Sequence, residues 1–143
     1  APGKNPYYNG TAKLAGCVIP KGTASCLFFG LIGLGDWYYG IPNQIAGSLG
    51  YDPDYPQDKG GHAWPYRYQV WAYDLHVMKA AYEGLRKPWE VKPYAVWNFD
   101  LPFKASKQEL GGVTYNEETG EIFVSQKFAD GNRPLVHVFT IKD

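Results

Sequence analysis

The longest apolar run in the chain, CLFFGLIGL at residues 26–34, is broken twice by glycine. It is half the roughly 18 residues that a membrane-spanning helix needs. The other apolar runs are equally short: YRYQVWAY at 66–73 and LVHVFTI at 135–141. Runs of this length, rich in aromatic and β-branched residues and bounded by Gly, Pro, Asn and Asp, are strand signals. The spacing therefore predicts a mainly β fold of antiparallel meanders. Residues 11–19 and 24–32 form a first hairpin about Pro20, Lys21 and Gly22. Residues 66–73 carry bulky groups on both faces, as an inner strand does. Asp74 is placed to cap one short helix over 75–83 that ends at Gly84, with Leu75, Met78 and Tyr82 on a core-facing stripe. Residues 90–99 read as a strand with Pro93 at an edge or bulge. A second hairpin, 112–115 with 121–126, turns where Gly120 supplies positive φ. Residues 135–141 close the chain.

Composition narrows the class. The chain has 143 residues, which suits one domain, and 45% of them are hydrophobic. Aromatic residues make up 17%, and they favour half-buried pleated surfaces. Lys plus Arg equals Asp plus Glu at 14 each, so no long-range field draws the chain to nucleic acid or an anionic membrane. The first residues, APGKNPYYNG, lack the basic and apolar regions of a signal peptide and lack an initiator Met. The chain thus reads as a processed or excised piece, soluble and without a membrane span.

Two stretches repeat one pattern. After an N-terminal arm at 1–10, residues 11–103 make a full four-stranded, blade-like unit with a long loop at 33–65. Residues 110–143 make a second unit that stops after three strands. The pitch suits a propeller, whose blades are four-stranded and about 40 to 50 residues long. Closed propellers have at least about four blades, and this length makes at most about three. The expected partner is another polypeptide, or a missing N-terminal portion, that completes the sheet.

The strings HAWPYRYQVWAYD (62–74), PWEVKPYAVWNFDLPF (88–103) and LGGVTYNEETGEIFVSQ (110–126) carry a likeness. With GTASCLFFG and LVHVFTI, they resemble the C-terminal part of secreted bacterial proteins with propeller-like repeats. The resemblance implies a β-propeller-like fold and a secreted or periplasmic location. It carries no catalytic residue.

Several local patterns bear on function. Residues 30–35, GLIGLG, have the dinucleotide spacing reversed and no helix start after them, so they read as a strand end with tight backbone approach. Asp52, Asp54 and Asp58 in YDPDYPQDKGG are hard oxygen ligands of the kind calcium uses, although Pro interrupts the loop and Asx turns compete for the same oxygens. His62, Tyr66 and Arg67 stand at a loop-to-strand junction, where they could bind an anion or exchange protons. Trp37, Tyr38, Tyr39, Tyr51, Tyr55 and Trp64 crowd the long loop, either as stacking platforms for a glycan or partner protein or as a satellite core. Cys17 and Cys26 flank the first turn, where a cross-strand disulfide or two buried thiols both fit. Asn9-Gly10-Thr11 is an N-glycosylation triplet.

The expected ligand-binding set is thus Trp37, Tyr39, Tyr55, His62, Trp64, Tyr66 and Arg67. The expected function is a non-catalytic binding or assembly domain, extracytoplasmic, using the 36–67 loop. The alternative is a secreted propeller-type hydrolase with His62, Arg67 and the loop aspartates in its site.

Overall fold

Alternation decides which side chains the first hairpin buries. In β1 (Lys13–Val18) and β2 (Ser25–Gly33), Val18, Leu27, Phe29 and Leu31 point to one side, and Leu14, Cys17 and Phe28 to the other. This computed structural model describes residues 7–103, 105 and 107–141. The first six residues of the expected arm lie outside them. The expected long loop is not structureless. It holds a small hairpin of β3 (Tyr38–Gly40) and β4 (Gly60–His62), with an isolated bridge between Asn43 and Tyr51. β2 then pairs along its length with β5 (Tyr66–Asp74).

Asp74 starts α1 (Leu75–Tyr82), its side chain accepting from the His76 amide at 2.7 Å. The core-facing stripe expected there does not form. Leu75 and Met78 are only half-buried, and Tyr82 is 92% exposed. Eight residues give a helix about 12 Å long, too short to lay a continuous stripe across the sheet. The strand expected over 90–99 is also shorter. A 3-10 turn occupies Pro88–Glu90, and pairing with β5 begins after Pro93, which has no amide proton to donate. The result is β6 (Ala95–Asn98), and the first sheet is antiparallel in the order β1-β2-β5-β6.

The second sheet is β7 (Leu110–Asn116), β8 (Glu121–Asp130) and β9 (Arg133–Thr140), antiparallel in chain order. Gly120 closes its first turn with a φ of +72°. The main core lies between the two sheets. Val18, Leu27, Phe29, Val70 and Ala72 of the first meet Ile122 and Val124 of the second, with Phe99, Val113 and Phe139 packed around them. A second cluster, Leu31, Tyr55, Tyr66 and Tyr68, joins the long loop to the first sheet. Alternation leaves Val136 and Val138 of β9 exposed on the far side of the second sheet. The fold is mainly β with one short α-helix, as the run lengths require. No helix among the described residues is long and apolar enough to cross a membrane.

Candidate functional site

The long loop divides into a buried base and an exposed tip. Its base is organised by Asp52, which is wholly buried. Asp52 Oδ1 accepts from the amides of Asp54 (3.0 Å) and Tyr55 (3.1 Å), an Asx turn that fixes the local backbone. Oδ2 accepts from the Tyr66 hydroxyl at 2.6 Å and faces His62 Nδ1 at 2.7 Å. The other ring nitrogen, Nε2, donates to the Asp58 carbonyl oxygen at 2.8 Å, because a carbonyl can only accept. Both nitrogens of His62 are therefore engaged inside the protein.

Tyr55 and Tyr66 meet edge to face at 5.4 Å. Burial, and then the hydrogen bond to Asp52, pushes the Tyr66 phenol above its ordinary range. Burial followed by the negative charge of Glu109 does the same to Tyr55, whose hydroxyl donates to the Gln108 carbonyl. Beside this base lies a cleft of about 280 Å³ lined by Lys13, Tyr55, Lys59, His62 and Glu109. Lys13 and Lys107 hold their ammonium groups 5.3 and 5.5 Å from the Tyr55 ring centre.

The tip is different. Trp37, just before β3, and Tyr39 within it stack at 6.3 Å with 25° between their planes, and they are 54% and 63% exposed. Leu34, Ile41, Ile45 and Leu49 are exposed as well, Ile45 at 72%. Trp64 packs edge to face on Tyr51 at 5.3 Å and borders a cavity of about 250 Å³ with Asp36 and Ser48. Gly33 and Gly35 mark where this loop presses on the sheet: a Cβ on Gly33 would collide with Ala63 and one on Gly35 with the Trp64 carbonyl oxygen.

The expected ligand set thus separates into three groups. Trp37, Tyr39 and Trp64 present rings to solvent, although Trp37 pairs with Tyr39 and Trp64 with Tyr51 rather than with each other. Tyr55, His62 and Tyr66 belong to the base. Arg67 stands apart from His62, its Nη1 donating to the Tyr66 carbonyl at 3.1 Å beside a different cavity that holds Asp54, Tyr68 and Asp100. Of the aspartates, Asp52 is saturated by its partners and Asp58 pairs with Lys107 at 3.2 Å. Among the described residues no three His, Cys, Asp or Glu side chains converge on a metal position.

Cys17 and Cys26 are unbonded here, yet the thiols are neighbours on the outer face of the first hairpin. Burial, and then the Cys17 thiol, pushes Cys26 up to about 11. The Asn9 side chain of the glycosylation triplet is tied down, with Nδ2 donating to the Gly33 carbonyl at 2.8 Å.

Sequence reading missed the aliphatic members of the tip. It also missed Gln126, a wholly buried amide that donates to the Phe103 carbonyl and faces His137 Nε2 at 2.9 Å. Its signal was weak: one polar residue in the period-2 row of Ile122 and Val124. Comparison with known protein-family models, curated proteins and solved structures finds no match.

Proposed function

We propose that this is an extracytoplasmic, non-catalytic assembly domain of a propeller-like protein, and that its contact surface is the apolar tip of the 36–67 loop. One observation carries the reading. Several large apolar side chains are exposed along one loop, Trp37 stacked on Tyr39 among them, and the base of that loop is pinned by a saturated buried aspartate. Exposed apolar patches of this kind mark interaction surfaces. A pinned base lowers the ordering cost of binding. Ile41, Ile45 and Leu49, exposed on the same loop, favour a polypeptide partner, because aliphatic branches offer a sugar face none of the stacking that Trp37 and Tyr39 do. The alternative hydrolase reading asks His62 to exchange a proton with substrate, and both its nitrogens are already engaged.

The test is site-specific crosslinking in the native host, with a photoreactive phenylalanine analogue at Tyr39 and, as control, at the exposed turn residue Glu117. The reading expects one defined polypeptide at position 39, none at 117, and loss of the crosslink when Ile45→Asp is added. Crosslinking to glycan alone, or to nothing, rejects it.

A further inference from the structure

Residues 82–90, from the last residue of α1 through the 3-10 turn, are all exposed. Among them are three large apolar side chains: Tyr82, Leu85 at 78% and Trp89 at 76%. The backbone that displays them is fixed. Gly84, with a φ of +76°, ends α1: its amide donates to the Ala81 carbonyl at 3.1 Å, and the Leu85 amide to the Ala80 carbonyl at 2.9 Å. In a helix end of this kind the residue at the place of Leu85 commonly packs back on the last turn. Here its side chain stands in water. Glu90 Oε2 then accepts from the Lys87 amide at 3.0 Å, and the Val91 amide donates to the Pro88 carbonyl at 3.2 Å. The Tyr94 amide ties the chain back to the first sheet through the Ala72 carbonyl at 2.8 Å.

Positive charge gathers on the same stretch. Residues 79–92 hold Lys79, Arg86, Lys87 and Lys92 against Glu83 and Glu90. Lys79 spends its charge on Glu83 at 3.6 Å. Arg86, Lys87 and Lys92 are exposed, and none is ion-paired with another described residue. The chain as a whole is neutral, so this local excess acts only within a Debye length, about 8 to 10 Å at moderate salt. The combination discriminates between partners. Protein interfaces are depleted of Lys. A bilayer boundary accepts both kinds of group: Trp settles at headgroup level beside apolar side chains, and Lys and Arg meet the lipid phosphates.

We propose that residues 82–92 dock this domain on the surface of an anionic lipid bilayer, with Leu85 and Trp89 entering the headgroup boundary and Arg86, Lys87 and Lys92 meeting the phosphates. The contact is superficial and needs no spanning segment. Because the helix end and the 3-10 turn are already hydrogen-bonded in place, docking costs little ordering entropy. The surface shares no residue with the 36–67 loop and stands or falls separately from the contact proposed there.

The test is co-sedimentation of the whole chain with sucrose-loaded vesicles, of phosphatidylcholine alone or with about a quarter of phosphatidylglycerol. Binding is expected to the anionic vesicles, to be at least roughly tenfold weaker to the neutral ones, and to fall with added salt. Leu85→Ala combined with Trp89→Ala should weaken it at least about tenfold, through the apolar area no longer buried. Arg86→Gln combined with Lys87→Gln should weaken it by a similar factor of about ten or more. All four side chains are exposed, so both double variants should melt with the native chain. Ile19→Ser, at an exposed apolar residue beside the first turn, should bind as the native chain does. Binding to neither kind of vesicle overturns the proposal. So does equal binding to both, binding that survives the Leu85 and Trp89 changes, or an equal loss in Ile19→Ser.

Discussion

The base and the tip of the 36–67 loop are built from the same residue types and behave as opposites. Tyr55 and Tyr66 at the base are buried, and their hydroxyls are spent on Gln108 and Asp52. Tyr39 and Trp37 at the tip are more than half exposed and stack on each other, with the Trp37 indole close to Gly10 and Gly61. Aromatic density therefore did not decide burial. What each polar organiser holds did: Asp52 holds the Tyr66 hydroxyl, His62 and two amides, and the rings close over it, whereas Asn43 ties Ile45, Ser48 and Leu49 through backbone and hydroxyl groups and gathers no ring. The comparison teaches that the loop's stability and its capacity for contact reside in different residues, so the two are separable by mutation.

The largest expected effect tests the base. Asp52→Ala leaves His62, the Tyr66 hydroxyl and two amides without their shared acceptor. Breaking one side of such a buried cluster costs about 3 to 5 kcal/mol. Urea denaturation should show that loss, with the loop's amides exchanging early. A loss under about 1 kcal/mol would mean that the base is held by ring packing alone and the comparison is wrong.

The next effect concerns the sheet under the loop. A bond between Cys17 and Cys26 would close a short turn and add about 2 to 3 kcal/mol in the chain-entropy treatment. In the extracytoplasmic setting proposed here, thiol titration of the denatured, unreduced protein should find no free thiol. Reduction should then lower a single unfolding transition. A second transition appearing at the lower temperature would show that the base melts apart from the sheet. Two free thiols would remove the bond and weaken the location assigned to the protein.

A smaller effect isolates the Tyr66 hydroxyl. Tyr66→Phe removes one hydrogen bond to Asp52, worth about 1 to 2 kcal/mol in a buried setting. The same residue sets an alkaline limit. Its phenol is raised in the folded chain, whereas an unfolded tyrosine ionises near about pH 10. The folded state keeps a proton that the unfolded state gives up. The stabilisation is therefore complete below about pH 10 and is lost as pH climbs beyond it. Tyr55 adds to the same slope. Stability measured from about pH 8 to 11 should fall, and fall less steeply in Tyr66→Phe. A slope unchanged by that substitution would place the titration elsewhere.

How far the sequence reached follows the same division. Strand class was legible because period-2 alternation and Gly-bounded runs are local signals, as in the row of Leu27, Phe29 and Leu31. The helix stripe of Leu75, Met78 and Tyr82 misled, since periodicity reports a face but not whether a sheet lies under its full length. The hairpin β3–β4 was invisible because three-residue strands leave too short a pattern, and Gly60 and Gly61 supply none. The sequence sets His62, Tyr66 and Arg67 in one group and Asp52, Asp54 and Asp58 in another, and the side chains that come together are Asp52, His62 and Tyr66. That they face inward as one cluster depends on the turn that brings Asp52 back against β5, which is a tertiary fact. Trp37, Tyr38, Tyr39, Tyr51, Tyr55 and Trp64 read either as platforms or as a satellite core, and the loop sets Trp37 with Tyr39 and Trp64 with Tyr51 while Tyr55 closes into the base.

The smallest effect on stability belongs to the tip, and it is the most discriminating. Ile45 is mostly exposed, and Trp37 is more than half exposed. Surface substitutions of this sort usually change stability by less than about 0.5 kcal/mol. Ile45→Asp and Trp37→Ala should therefore melt within about a degree or two of the native chain. They should nonetheless abolish the crosslink from position 39: Ile45→Asp because a charge placed in an apolar contact must be desolvated without a partner, and Trp37→Ala because it removes the ring stacked on Tyr39. If either substitution instead costs about 3 kcal/mol or more, in the range of buried large-to-small changes, the tip is a satellite core. The loop would then be one structural unit from end to end, and the exposed contact surface would have to be sought on Val136 and Val138 of the second sheet.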